Sequence, residues 1–265
     1  MFGMLLLFVF GTASQPAQPV VPLSHAHAHN DYAHPHPLFD ALAQGFGSVE
    51  ADIFLTGDRL FVGHSRNELK PERTLESLYL DPLRKRAREN KGNIYPGVSP
   101  FFLLIDVKTD AQATFTVLHE TLARYDDILT TVRDGKVESK AVTAVLSGNR
   151  KIELLAGQKV RYAGIDGRPS DLDSDVSSDL MPWVSERWGA KFKWKGAGPM
   201  PEKERRALDE FVRKAHAHGR LVRFWATPET EAMWRELREA GVDLINTDKL
   251  AELRAFLIKA GSTNP

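Results

Sequence analysis

The sequence predicts a single α/β domain folded as a (β/α)8 barrel of the TIM type. The chain has 265 residues, which is the length of one such barrel. After Pro22, short apolar runs alternate with stretches of helical period, and about eight of these runs can be counted. Because strand–helix alternation implies parallel strands joined by crossover helices, the pattern favours a closed parallel barrel.

The predicted strands are short runs rich in β-branched and apolar residues. They cover residues 24–29, 48–55, 101–108, 141–147, 161–166, 182–186, 221–227 and 243–247. The run FFLLIDVK at residues 101–108 is almost continuously apolar, as expected of a parallel strand buried on both faces. Residues 167–179 are rich in Asp and Ser and predict a loop.

The predicted helices lie between these runs. They cover residues 38–46, 74–90, 111–125, 201–218, 229–240 and 249–260. Pro228 precedes one of them and Gly241 follows it, which is the usual asymmetry of helix starts and stops.

Composition excludes several classes of function. Lys and Arg together number 35, equal to Asp and Glu, so a broad nucleic-acid surface is not expected. The chain has no cysteine, which rules out disulfides, thiolate catalysis and cysteine-based zinc sites. No feature of the sequence indicates an oligomeric state.

The amino terminus predicts export. Residues 1–10 are apolar, residues 11–13 (GTA) are small, and a polar, proline-containing stretch follows up to Pro22. This is the layout of a secretory signal peptide, although no Lys or Arg precedes the apolar run. We therefore expect residues 1–22 to be a signal peptide with a short linker, residues 23–265 to be the barrel, and the protein to be secreted or periplasmic. The alternative interpretation of residues 1–10 is an apolar strand of the domain or a misplaced start codon. No apolar stretch is long enough for a stable membrane span.

Acidic residues at predicted strand ends suggest a metal site. Glu50 and Asp52 lie two apart on the second strand and so share a face, and Asp106 lies near the end of the third. Catalytic groups of such barrels lie where the strands end. Since three buried anions are costly without compensation, a divalent cation is expected between them. Oxygen ligands, to which Asn30 could add one, favour Mg²⁺ or Ca²⁺ over zinc.

Other polar residues near strand ends suggest phosphate chemistry. Histidine as a residue type ionises near neutral pH, so His29 and His64 could form an acid/base pair. Lys108 and Arg223 are cations suited to a phosphate, and Trp225 shares a face of its strand with Arg223. Each residue taken alone would more often be structural. Their order along the chain strengthens the joint hypothesis.

Five runs in this order resemble one family. They are HNDY at residues 29–32, VEADIFLTGDRLFVGH at 49–64, LLIDVK at 103–108, RFWATPE at 223–229 and GVDLINTD at 241–248. The chain is similar, over residues 24–257, to the glycerophosphodiester phosphodiesterase family of the phospholipase-C-like phosphodiesterase superfamily of TIM barrels. Its nearest branch is that of proteins named for altered inheritance of mitochondria.

The resemblance implies a role for each matching position. His29 and His64 match the two catalytic histidines of the family, and Glu50 and Asp52 match two of its metal ligands. Asp106 stands where a third acidic ligand, usually Glu, is expected. The resemblance also implies that Lys108 contacts the phosphate and that Trp225 lies in the barrel mouth.

Two departures from the family bear on the substrate. The usual His-Arg-Gly opening is His29, Asn30 and Asp31 here, closer to eukaryotic phosphoinositide phospholipases, in which the Asn binds calcium. The Pro-Glu-Asn-Thr stretch that usually follows is replaced by HPHP at residues 34–37. The expectation is therefore a metal-dependent phosphoric diester hydrolase for a glycerophosphodiester or phospholipid-type head group, with the particular diester left open. We expect His29 to act as the acid and His64 as the base, and the nucleophile to be water or a hydroxyl beside the phosphate.

Two other classes of function compete with this one. His25, His27 and His29 alternate along one strand, as in zinc metallohydrolases of the amidohydrolase type. Such sites need further histidines at later strand ends, whereas the later ones, His119 and the pair at 216 and 218, fall in predicted helices. A barrel that binds a ligand without catalysis is the other alternative.

Overall fold

The computed structural model describes residues 20–97 and 100–261. Most of the predicted signal peptide and linker therefore lies outside the described residues. The main feature is a closed barrel of parallel strands. Its members are β1 (Leu23–Ala28), β2 (Phe46–Thr56), β3 (Phe101–Val107), β4 (Val142–Gly148), β5 (Ala163–Gly167), β6 (Trp183–Arg187), β7 (Leu221–Trp225) and β8 (Leu244–Thr247). Each strand pairs in parallel with the next, and β1 pairs with both β2 and β8. The predicted TIM-type fold is confirmed.

The helices pack on the outside of the barrel. They are α1 (Phe39–Ala43), α2 (Asp81–Glu89), α3 (Ala111–Ala123), α4 (Ile152–Ala156), α5 (Trp188–Lys191), α6 (Glu202–Ala217), α7 (Glu231–Glu239) and α8 (Leu250–Gly261). Side-chain caps begin two of them: Asp110 accepts a hydrogen bond from the backbone of Ala113, and Thr230 from that of Met233. No helix within the described residues is long and apolar enough to cross a bilayer.

Two additions decorate the barrel. The strand Arg59–Val62 pairs antiparallel with the end of β2 and forms a hairpin. A small antiparallel sheet, made of Thr131–Arg133, Lys136–Glu138 and Val160–Arg161, lies outside the barrel. The predicted strand at 161–166 is thus shorter than expected, because Arg161 belongs to this small sheet. Between β5 and β6 the chain forms a loop with one short turn, Pro169–Asp171, as its Asp- and Ser-rich sequence predicts.

The barrel interior changes character along its axis. Near the amino ends of the strands, a separate apolar cluster fills the interior, formed by Leu104, Val145, Trp183 and Leu244. Asp106 lies two residues beyond Leu104 and so points to the same side of β3. The register pairs Leu104 with Glu50 and Asp106 with Asp52. The apolar cluster therefore fills the interior towards the amino ends of the strands. Glu50, Asp52 and Asp106, which we call the acidic layer, lie towards the carboxyl ends.

Candidate active site

Three carboxylates from two neighbouring strands meet at the carboxyl end of the barrel. Glu50 and Asp52 are on β2 and Asp106 is on β3, and one oxygen of each lies within 4.8 Å of the others. The Glu50 and Asp52 residues are buried, whereas the Asp106 side chain is 19% exposed. The structure thus brings together the three acids proposed as metal ligands.

The charges in this group are incompletely balanced. Burial raises the pKa of Asp52 to about 6, and the charge of Glu50 adds to this effect. Burial also raises the pKa of Asp106. Burial would raise the pKa of Glu50 as well, but the charge of Arg223, the hydrogen bond with His27 and the charges of His29 and His27 together outweigh burial and hold that pKa below its ordinary range. Three carboxylates face two cations, Arg223 and Lys108, so the layer retains negative charge when all three acids are ionised.

An unpartnered oxygen indicates where further positive charge fits. Asp52 Oδ1 is buried and accepts no hydrogen bond from the described residues. An ionised, buried carboxylate oxygen without a partner is costly. Together with the convergence of three oxygen donors, this oxygen makes the group suitable for a hard divalent cation.

The two basic residues proposed to contact phosphate are placed differently. Lys108 Nζ lies 3.0 Å from Asp52 Oδ2 and 3.3 Å from Asp106 Oδ1, and its side chain is 28% exposed. Arg223 is buried and donates to Glu50 Oε2 at 2.8 Å and, through Nε, to Asn246 Oδ1 at 3.0 Å. Lys108 therefore borders the open mouth, whereas Arg223 lies beneath Glu50 as its counterion. The contact between Arg223 and a substrate phosphate stays a prediction.

Trp225 closes β7 at the same end of the barrel. Its ring is partly exposed, and the guanidinium of Arg187, at the end of the neighbouring β6, lies 5.9 Å from the ring centroid. The residue after it, Ala226, adopts a left-handed conformation with φ 53°. An exposed aromatic ring on a strained strand end is a feature often found at binding sites.

His29 is held by an acid from the last strand end. Its Nδ1 lies 2.8 Å from Asp248 Oδ1, and its backbone N–H donates to Thr247 at 3.0 Å. Burial lowers the pKa of His29, but the hydrogen bond to Asp248 and the charge of Glu50 outweigh burial, so that the pKa lies above its ordinary value. The Asp248 carboxylate favours a proton on Nδ1. The Nε2 atom has no partner in the described structure.

His64 approaches the acids from the loop after the hairpin. Its Nδ1 lies 3.1 Å from the Tyr32 hydroxyl and 3.5 Å from Asp52 Oδ2, and its side chain is 67% exposed. Tyr32 Oη also lies 2.7 Å from Asp52 Oδ2 and 2.7 Å from Asn30 Oδ1. The phenol has one proton, which it donates to Asp52 or Asn30. Its oxygen can therefore accept a hydrogen bond from Nδ1–H of His64.

Tyr32 and Asp248 were not identified from the sequence as parts of the site. Both stand within the runs that carry the family resemblance, HNDY and GVDLINTD. Asn30, proposed as a ligand, has a left-handed backbone with φ 47° and contacts His29 and Tyr32. Its binding to a metal remains a prediction.

Two further residues support the acidic layer. His27 lies 2.7 Å from Ser48 Oγ and 3.4 Å from Glu50 Oε2, and burial, aided by the charge of Arg223, lowers its pKa to about 4. A neutral His27 thus packs against Glu50. On the neighbouring strand, Gly148 has φ +67°, and a Cβ there would lie 2.0 Å from Asp106 Oδ1. Glycine at 148 therefore leaves the space that Asp106 occupies.

Asp31 holds the loop that follows β1. Its Oδ2 accepts hydrogen bonds from the backbone N–H of Leu38 at 2.6 Å and from the Tyr79 hydroxyl at 2.9 Å. Leu38 has φ 66°, a conformation that bulky residues rarely adopt. The contact with Asp31 thus stabilises a strained turn next to His29 and Asn30.

The zinc-type alternative requires further histidines at the ends of later strands, and the later histidines of the described residues lie elsewhere. His119 lies on α3 beside Phe115 and Tyr162, and His216 lies on α6, where it contacts Asp243 at 2.8 Å. His218 follows the end of α6. Within residues 20–97 and 100–261, the candidate metal group consists of the three acids and contains no histidine.

Comparison with known families identifies two matching regions. Residues 15–165 match the family described as AIM6-like phosphodiesterase domain. Residues 222–251 match the glycerophosphoryl diester phosphodiesterase family. The first match covers β1 to β4 with both histidines and all three acids, and the second covers β7 and β8.

Relatives and solved structures agree with these matches. The altered inheritance of mitochondria protein 6 of Eremothecium gossypii is 31% identical over 271 residues, covering 88% of this chain and 69% of that protein. A homolog from Arthroderma benhamiae is 27% identical, covering 89% of this chain and 84% of its own length.

Two solved structures share the fold at 15% sequence identity. A calcium-dependent phosphoinositol-specific phospholipase C from Pseudomonas gives a TM-score of 0.61, covering 86% of this chain and 89% of that one. A glycerophosphodiester phosphodiesterase from Parabacteroides distasonis gives 0.55, covering 89% and 98%. Because residues 15–165, more than half of the chain, match its model, the chain belongs to the AIM6-like phosphodiesterase domain family.

Proposed function

We propose that this protein is a metal-dependent phosphoric diester hydrolase that acts on a glycerophosphodiester or a phospholipid-type head group. The observation that carries the proposal is the convergence of Glu50, Asp52 and Asp106 within 4.8 Å at the barrel mouth. His64 adjoins this group through Asp52, and the charge of Glu50 acts on His29. Family membership supports the class of reaction.

The acids would hold the cation. Glu50, Asp52 and Asp106, with Asn30 as a neutral oxygen ligand, fit Mg²⁺ or Ca²⁺. A bound divalent cation would supply Lewis-acid polarisation of a phosphoryl oxygen. Lys108, at the open side of Asp52 and Asp106, is placed to balance the charge of a phosphate group that enters the mouth.

The two histidines divide the proton transfers. His29, whose pKa lies above its ordinary value, carries a proton that its free Nε2 gives to the oxygen of the leaving alcohol. His64, with Nδ1–H directed to Tyr32, presents Nε2 as the base that takes a proton from the nucleophile. The nucleophile is water or a hydroxyl group next to the phosphate.

The first experiment measures hydrolysis of bis(p-nitrophenyl) phosphate by the purified protein with Mg²⁺, with Ca²⁺ and with EDTA. We expect release of p-nitrophenol that depends on the metal and falls by about 100-fold or more in His29→Ala and His64→Ala. The matched control is His218→Ala, which removes an imidazole just after α6 and should retain full activity.

The outcome is decisive for the residue roles. Near-wild-type rates in both histidine variants would refute the acid/base assignment. Equal rates with metal and with EDTA would refute the metal dependence.

We also propose that the protein is exported, with cleavage near the end of residues 1–22. Intact mass spectrometry of the protein recovered from the periplasm or medium should give a chain shortened by about this segment. A full-length mass in the cytoplasmic fraction alone would contradict export.

A further inference from the structure

The loop after β7 reaches the strand end that holds His29. One oxygen of Glu229, Oε1, accepts a hydrogen bond from the Thr247 hydroxyl at 2.6 Å and from the backbone N–H of Asp248 at 2.5 Å. Thr247 is fully buried at the end of β8, and its backbone carbonyl accepts from the N–H of His29 at 3.0 Å. A single carboxylate oxygen of Glu229 therefore binds the two residues at the end of β8 that contact His29.

The place of the Asp248 carboxylate depends on its backbone. The side chain is 53% exposed, and within the described residues its carboxylate makes one hydrogen bond, to His29 Nδ1 at 2.8 Å. An exposed side chain with one partner keeps much of its rotational freedom unless its backbone is fixed. Because Glu229 binds the backbone N–H of Asp248, it restricts where the carboxylate meets the imidazole.

Two neighbours make opposite demands on His29 Nδ1. The ionised carboxylate of Asp248 can only accept a hydrogen bond, so it requires a proton on this nitrogen. The amide nitrogen of Asn30 lies 3.1 Å from the same atom and can only donate, so it requires an unprotonated nitrogen. Displacement of Asp248 would therefore favour the tautomer that carries its proton on Nε2.

We propose that Glu229 is a positioning residue for His29: by holding Thr247 and Asp248, it keeps the proton of the neutral imidazole on Nδ1 and places the carboxylate that stabilises the imidazolium. The inference rests on the proposed function, in which His29 is the acid, and adds a residue to it. Glu229 acts through the end of β8, since its hydrogen bonds are to Thr247 and Asp248.

The test compares three variants. Glu229→Ala removes the acceptor, whereas Glu229→Gln keeps an acceptor oxygen without the charge. The matched control is Glu231→Ala, which removes an exposed acid from the first turn of α7, two residues away.

Nitrogen NMR of isotope-labelled histidines at alkaline pH, where the rings are neutral, reports the tautomer and needs no turnover. The His29 signal is assigned with His29→Ala. We expect the His29 proton mainly on Nδ1 in the wild type, in Glu229→Gln and in Glu231→Ala, and mainly on Nε2 in Glu229→Ala.

Hydrolysis of bis(p-nitrophenyl) phosphate gives the second readout. We expect Glu229→Ala to lower kcat by about tenfold with KM within about twofold of wild type, because orientation of the acid is lost and substrate binding is not. Glu229→Gln and Glu231→Ala should stay within about threefold of wild type. The double variant Glu229→Ala/Asp248→Ala should be no slower than Asp248→Ala alone, because both substitutions act on one contact.

A His29 proton on Nε2 in the wild type, or one retained on Nδ1 in Glu229→Ala, would overturn the inference and leave the proposed hydrolase intact. Equal losses of kcat in Glu229→Ala and in either Glu229→Gln or Glu231→Ala would overturn it as well, since the acceptor oxygen would then not matter. If the wild type hydrolyses nothing, a tautomer change confined to Glu229→Ala still supports the positioning role while the proposed hydrolase fails.

Discussion

At the amino end of the barrel the interior side chains are apolar, whereas at the carboxyl end they are charged and incompletely paired. Leu104, Val145, Trp183 and Leu244 fill the amino end. A cavity of about 510 Å³ opens at that end, and its ionisable residues, Arg161 and Asp179, form an ion pair with each other. At the carboxyl end, Asp52 retains a buried oxygen with no partner.

The difference shows that stability and chemistry are separated along one axis. A well-packed apolar layer contributes to folding through burial. A layer of carboxylates with raised pKa values is costly in the absence of a cation, and such a cost is typical of a functional site. Substitutions at the two ends should therefore have opposite consequences for stability and activity.

The largest effect is expected for Asp52→Asn at the carboxyl end. The substitution removes the carboxylate that contacts Lys108 and Tyr32. We expect kcat/KM on bis(p-nitrophenyl) phosphate to fall by about a thousandfold, while the midpoint of thermal unfolding in EDTA is unchanged or higher. A large loss of stability would contradict the separation of the two layers.

The matching substitution at the amino end is Leu104→Ala. It removes a fully buried side chain from the apolar cluster. The free energy of unfolding should fall by about 2–5 kcal/mol, as for other buried leucines, because a cavity remains. The kcat of the folded variant should stay within about twofold of wild type, since Leu104 is not among the acids or histidines of the site. Denaturant titration and the hydrolysis assay measure the two quantities.

The pH dependence of the metal-free protein sharpens the comparison. The pKa of Asp52 in the folded state is about 6, above the ordinary value of 3.8 in the unfolded chain. A raised folded-state pKa stabilises the fold at low pH, and this contribution is lost as the pH rises from about 4 to about 6. In EDTA, the stability of Asp52→Asn relative to wild type should therefore rise over this range, by up to about 3 kcal/mol. A difference that does not vary with pH would show that Asp52 is not destabilised by its surroundings.

Gly148→Ala tests the space around Asp106. A Cβ at this position would lie 2.0 Å from Asp106 Oδ1, and the φ of +67° is unfavourable for alanine. We expect a loss of about 1–3 kcal/mol in stability and about a tenfold loss in kcat/KM as Asp106 is displaced. Gly189→Ala is the control, because its Cβ would meet no atom within 4 Å and its φ is not positive. Similar effects of both substitutions would show that Gly148 has no particular role in making space for Asp106.

The smallest effect is expected for Tyr32→Phe. The variant keeps the ring but removes the hydroxyl that lies 3.1 Å from His64 Nδ1 and 2.7 Å from Asp52 Oδ2. We expect kcat to fall by about tenfold with little change in KM, because the orientation of His64 is less restricted. Tyr95→Phe removes a buried hydroxyl that donates to Phe46 O at 2.9 Å, away from the site, and serves as the control. A larger loss of activity in the control would mean that the effect of Tyr32 is structural.

The strands could be predicted because their apolar runs are local features of the sequence. Each of the eight predicted runs overlaps an observed barrel strand, and the grouping of Glu50, Asp52 and Asp106 followed from their positions on neighbouring strands. The pairing of His29 with Asp248 spans 219 positions, and that of Arg223 with Glu50 spans 173. Such contacts depend on barrel closure and side-chain direction, which no local pattern contains. For the same reason, the ion pair of Arg223 with Glu50 could not be predicted from the sequence.

Titration of the metal-free protein with Ca²⁺ and with Mg²⁺ in a calorimeter tests the central claim most directly. We predict one binding event per chain for at least one of these ions, lost in both Asp52→Asn and Asp106→Asn and retained in His64→Ala. Absence of binding for both ions, or binding that both aspartate substitutions leave unchanged, would contradict the account of the acidic layer as a cation site.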